Sequence, residues 1–245
     1  MTHWFSSVPN LISFVVIVAF WDAAALVAMA AVRLWAARRG MASGSPVVNA
    51  WATSCGSLAA LLFAFTVVTL WNQDTLARTN LGVETSAMLL TARDLDPAQL
   101  PALQAYVLQT VVEWPQLCGG KPTQAVDDTL YALERSARPR AGRYGDNLFV
   151  QLGALESTRS RRWQLATASV PDEIWVALIV LACALLTVLA IAMPDRVSVH
   201  VVLMLAVGTA LGALFWVTSL LEYPFCGSGA ISPSEIVNVL RGHIL

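Results

Sequence analysis

The sequence predicts an all-α integral membrane protein: four transmembrane helices in two hairpins, with an all-helical extramembrane insertion between the second and third. Three observations predict it. The 245 residues are 57% hydrophobic and only 13% charged, whereas roughly a quarter of an ordinary soluble domain is charged. The charge is unevenly spread: 20 of the 31 charged side chains fall within 72–170. Four apolar runs, at about 8–34, 48–71, 174–193 and 199–221, each reach the ~20 residues that a bilayer crossing takes. The chain divides accordingly into a first hairpin (1–71), an extramembrane helical domain (72–170), a second hairpin (171–221) and a C-terminal strap with a short helix (222–245).

The first run is read as a span and not as a cleaved leader, because it is long and no Lys or Arg precedes it. Rings mark the span ends: Trp4, Trp71, Trp175 and Tyr223 at one set, Trp35 and Trp51 at the other, as expected of aromatic side chains at headgroup level. The connections 35–47 and 194–198 are short enough for hairpins. The second span is expected to continue unbroken into a helix carrying Arg78 and Glu84, since no proline interrupts TLWNQDTLARTNLG. Leu100, Leu103, Val107 and Val111 share one helical face, which Pro115 ends. Val126, Leu130 and Leu133 define the next helix, with Thr123 as its expected N-cap. ARPRAGRYG reads as a loop, after which Asp146 is expected to cap a helix bearing Leu148, Leu152, Leu155 and Trp163. Pro171 opens the third span, with Asp172 and Glu173 in its first turn, where the helix dipole favours them.

Within this frame several phrases are similar to one family. TSAMLLTARDLD, YVLQTVVEWPQL, LESTRSRRWQLATASVPDEIW and EYPFCGSGAISPSEI occur in that order, and together they resemble the bestrophin-like family of bacterial multi-pass membrane proteins, long catalogued as a domain of unknown function. The resemblance covers roughly 50–240. It rests most on Glu113-Trp114-Pro115, on the arginine-rich turn before Pro171 and Trp175, and on Pro224-Phe225-x-Gly227 followed by Pro233. It implies a distant relationship to bestrophin anion channels and so an oligomeric subunit passing chloride or another small anion. This chain departs from the family pattern in carrying Cys118 and Cys226.

Candidate chemistry is sparse. Asp22 lies near the middle of the first span, where an ionised carboxylate is expensive. It is expected to be neutral and bonded to hydroxyls such as Ser54, Ser57 or Thr66 of the second span, or to water, either as a polar point on an ion or proton path or as a packing device. Arg159, Arg161 and Arg162 read as lipid or anion contacts, or as a solvated face. Glu113 finds no catalytic partner in the sequence and is assigned to packing with Trp114. Gly208 and Gly212 form a GxxxG suited to close helix contact, within or between protomers. No nucleotide, hydrolase or metalloprotease motif occurs, and a net charge of −1 gives no reason to expect nucleic acid. No enzyme, cofactor or metal is expected.

The 35–47 loop holds Arg38 and Arg39 with no acid, and Arg33 stands at its edge. The positive-inside rule makes that loop cytoplasmic, which puts the helical middle in the periplasm of an inner membrane. Cys118 and Cys226 are then expected to pair in an oxidising compartment; two unpaired thiols in a cytoplasmic domain is the alternative. Two functions stay open: a channel subunit, and a non-conducting scaffold or sensor whose extramembrane helices bind a partner or ligand.

Overall fold

The computed structural model describes residues 9–39, 46–119, 122–137, 143–192, 196–227, 230–239 and 241–242. Trp4, the 40–45 stretch of the first loop, 138–142 of the proline-rich loop and Gly229 lie outside the described residues. The elements are helical throughout: α1 (Asn10–Arg39), α2 (Pro46–Asp94), α3 (Leu100–Glu113), a 3-10 helix (Trp114–Gly119), α4 (Gln124–Ala137), α5 (Arg143–Thr167), α6 (Asp172–Ile191), α7 (Val197–Leu221) and α8 (Ser234–Val239). Among the described residues, four helices are long and apolar enough to cross a membrane.

Two compact units result, one within Met1–Trp71 and Ser169–Glu222, the other within Asn72–Ala168 and Tyr223–Leu245. In the first, α1 packs principally on α7 and to a lesser degree on α6. The buried stripe of α1 is Trp21, Ala25 and Met29; that of α6 is Leu178, Ala182, Leu186 and Ala190. These four-residue steps put one face of each helix inward. The opposite faces are apolar too: Val15, Val16, Phe20, Val27, Val176 and Val180 are exposed. Helices apolar all round belong in lipid, where those faces need no cover. Phe215 gathers the rings of this unit. Trp21 stacks on it at 4.6 Å, Trp175 stacks at 6.1 Å, and Phe63 meets it edge-on at 5.1 Å.

In the second unit, the part of α2 beyond Trp71 buries Ala77, Leu81 and Met88, Leu95 is buried just past its end, and α5 buries Leu148, Leu152 and Leu155. They share a core with Leu103, Tyr106 and Val107 of α3 and with Leu130 and Leu133 of α4. The helix through Trp71 is unbroken, as the absence of proline predicts. Pro115 coincides with the switch from α3 to the 3-10 helix, because a proline cannot donate to the α-helical ladder.

Two local expectations change. α5 starts at Arg143, so Asp146 lies in its first turn and is not its cap. The Thr123 hydroxyl donates to Gln116 Oε1 at 2.7 Å, and its backbone N–H donates to Glu113 Oε1 at 2.9 Å. Thr123 therefore serves the preceding helix as well as the start of α4.

Candidate functional sites in the two units

In the apolar unit, α1 brings Asp22 to α7. The Thr209 hydroxyl lies 3.2 Å from Asp22 Oδ1 and 3.3 Å from Oδ2. The partner expected from the sequence was on the second span. Ser54 and Thr66 instead bond backbone carbonyls of their own helix, Ala50 O and Leu62 O. The reason is steric. Gly208 and Gly212 let α1 approach so closely that a Cβ on Gly208 would sit 2.6 Å from Asp22 Oδ1, and one on Gly212 2.7 Å from Val18 Cα. The GxxxG pair is thus occupied inside this chain. Elsewhere in the unit, Arg33 Nε donates to His200 Nδ1 at 3.1 Å, and His200 Nε2 lies 3.3 Å from Leu189 O. A nitrogen that accepts from arginine carries no proton, so the ring proton sits on Nε2 and points at the carbonyl. Trp175 Nε1 donates to Glu222 Oε1 at 3.2 Å, which ties the start of α6 to the end of α7.

The second unit holds a buried ionic cluster. Glu113 (1% exposed) accepts from Arg159 Nη2 at 3.0 Å and from the Thr123 N–H through Oε1, and from Arg162 Nη2 at 3.2 Å through Oε2. Arg162 (1% exposed) also pairs with Glu84 of α2, and Arg159 with Asp127 of α4. The Arg162 guanidinium lies 5.2 Å from the Trp114 ring centroid, within cation–π range. Burial works against the Arg159 cation, but the Glu113 and Asp127 carboxylates outweigh it and hold its pKa above the ordinary value.

This arrangement corrects the arginine reading. Arg159 and Arg162 face inward and are ion-paired, and only Arg161 of the three is exposed. It also supplies the partners that Glu113 lacked in the sequence. The signal was present. Arg159 continues the α5 stripe of Leu148, Leu152 and Leu155, and Glu84 continues the α2 stripe of Ala77 and Leu81. Charged residues on an apolar stripe have to find each other.

The strap closes on this cluster. Cys118 and Cys226 form a disulfide across a sequence separation of 108, with Cα atoms 5.5 Å apart, within the usual range. Phe225 is buried and meets Trp114 edge-on at 5.7 Å. Trp114 Nε1 donates to Ile231 O at 2.8 Å. Between these anchors the chain turns back, with Ile231 N–H donating to Pro224 O at 2.8 Å and Gly227 at φ 88°. That left-handed conformation explains the glycine of the Pro-Phe-Cys-Gly phrase. Pro233 leads into α8, where it accepts from the Val237 N–H. Pro171 occupies the N-cap of α6. Among the described residues no group of three His, Cys, Asp or Glu side chains is placed to hold a metal ion.

Four apolar helices and a separate all-helical unit with a buried ionic core define a multi-pass membrane protein. The chain belongs to the Bestrophin-like family, whose domain matches residues 18–236. It is similar in fold to a point variant of a bacterial Bestrophin homolog from Klebsiella pneumoniae, at 14% identity and a TM-score of 0.74, over 93% of this chain and 96% of that one. A second structure of the Klebsiella homolog, from Zn-SAD phasing, gives 15% identity and a TM-score of 0.72 over the same shares. A structure described as a membrane protein gives 13% identity and a TM-score of 0.75, again over 93% and 96%. No curated protein matches the chain.

Proposed function

We propose that this chain is one subunit of an oligomeric bestrophin-like channel that passes chloride or another small anion. The observation that carries the reading is the family match over residues 18–236. The fold likeness to bacterial bestrophin homologs over nearly the whole chain supports it. So does the surface of α2, where Trp51, Leu58, Leu61, Phe65 and Val68 are exposed. Apolar side chains left bare in a single chain suit lipid or a second copy of the chain.

In this reading the apolar runs form two membrane hairpins, 1–71 and 171–221, with 72–170 as the extramembrane insertion and 222–245 as its strap. The protein sits in a bacterial inner membrane. The 35–47 loop faces the cytoplasm because of Arg33, Arg38 and Arg39. The helical insertion faces the periplasm, where the Cys118–Cys226 bridge is at home. Asp22 with Thr209 supplies a polar point on the ion path, and Arg161 an exposed lipid or anion contact. The motif residues Glu113, Trp114, Pro115, Pro171, Trp175, Pro224, Phe225, Gly227 and Pro233 serve structure. The reading assigns no catalysis and calls for no cofactor, metal or nucleic acid.

A second reading, a non-conducting scaffold or sensor, is favoured by one observation. Leu108, Val112, Tyr131 and Val150 of the helical unit are exposed, which suits a protein or ligand partner. Chloride efflux from liposomes containing the purified full chain separates the two. Efflux well above empty liposomes supports the channel. An intact oligomer that passes no chloride supports the scaffold.

A further inference from the structure

The cluster in the second unit holds three carboxylates, Glu84, Glu113 and Asp127, against two guanidiniums, Arg159 and Arg162. The acids are not equivalent. Glu113 has both oxygens engaged, by two arginines and a backbone N–H, the pattern that an anion demands. Asp127 is 56% exposed and keeps its water. Glu84 is 0% exposed and, among the described residues, meets only Arg162, through Oε1. Its Oε2 is buried with no hydrogen-bond partner among the described residues. An ionised carboxylate with one orphaned oxygen is the costly member of such a set. Remove its charge and the cluster balances at two acids and two bases.

We propose that Glu84 is a proton-binding site, whose neutral form balances the cluster while Glu113 serves as its standing counter-ion. The inference rests on the cluster and not on conduction. Glu84 lies well beyond Trp71, where the apolar stretch of α2 ends, and so outside the membrane span. The groups that reach it are Arg162 and Arg159 from α5, and Glu113 and Tyr106 from α3. Burial is the largest influence on Glu84 and raises its pKa. Arg162 opposes, Glu113 adds, Arg159 subtracts, and the net direction is up. The Tyr106 phenol is likewise pushed up, first by burial and next by the Glu84 charge. The sign follows. The folded pKa of Glu84 lies above its unfolded value, so its contribution to stability is complete below the ordinary Glu range and is lost as pH rises through the raised value. This unit therefore strengthens as pH falls through that raised value, until other carboxylates begin to titrate.

The test is infrared difference spectroscopy on the full chain in nanodiscs, titrated from about pH 10, beyond the ~3–5 pH units by which burial can raise a carboxyl, down to about pH 5, above the range in which an exposed Glu takes up its proton. The wild type is expected to show a protonated-carboxyl band growing in that window, and Glu84→Gln to lose it. Thermal midpoints over the same window should rise with acid in the wild type and stay flat in Glu84→Gln. Glutamine mimics the neutral acid in shape, so Glu84→Gln should fold, whereas Glu113→Gln should be clearly less stable at every pH. The proposal is overturned if the wild type shows no such band, if the band survives in Glu84→Gln, or if Glu84→Gln is as damaged as Glu113→Gln.

Discussion

The two units accommodate a carboxylate among apolar helices in opposite ways. In the apolar unit, Asp22 meets one neutral hydroxyl, Thr209, at a seam where α1 and α7 approach through Gly208 and Gly212. In the helical unit, Glu113 meets two guanidiniums and a backbone N–H inside an apolar core. The difference teaches where each unit finds its cohesion. Between lipid-facing helices the hydrophobic effect is weak and close packing carries the contact, so small residues matter most. In the helical unit the apolar core carries the folding. The ions there are held by mutual pairing, and the disulfide restrains the tail.

Removing one partner from the ionic core should give the largest effect. Glu113→Ala leaves two buried guanidiniums short of a counter-ion and is expected to destabilise the helical unit by about 3–5 kcal/mol, read as a lower midpoint in denaturant melts followed by tryptophan fluorescence. Cys226→Ser opens a closure of 108 residues and is expected to cost about 2–5 kcal/mol. The same variant should also lose the mobility difference between reducing and non-reducing gels. In the apolar unit Gly212→Leu drives a side chain into the α1 backbone at Val18, with an expected cost of about 1–3 kcal/mol. Because that seam lies within one chain, cross-linked oligomer size should change less than the thermal midpoint does. Thr209→Val removes one hydroxyl bond to Asp22 and should cost about 1 kcal/mol. A loss as large as that of Glu113→Ala would show that Asp22 depends on its partner as strongly as Glu113 does, and that the contrast between the units is wrong.

Much of the fold was legible because its signals are long. Four apolar runs announce four spans, and a proline-free stretch through Trp71 announces a continuous α2. The disulfide was legible from the location of Cys118 and Cys226 outside the apolar runs. Which helix faces which was not. A short loop suggests that α1 neighbours α2, so Asp22 was matched to hydroxyls there. The pairing is decided instead by side-chain volume at Gly208 and Gly212 on a helix far away in sequence. The ionic core was missed for a related reason. Glu84, Glu113, Asp127 and the two arginines come from four separate helices. The arginine turn was read by its proximity to a membrane span. The α5 face that carries Arg159 and Arg162 already pointed to the interior.

An experimental structure of the full chain in lipid nanodiscs tests the central claim most directly, because it reads assembly and pore together. The channel account predicts a closed ring of identical subunits around one axis, lined by the same span from each, with an opening wide enough for a chloride ion. A monomer, or a ring whose axis is filled with side chains and lipid along its whole length, would contradict it.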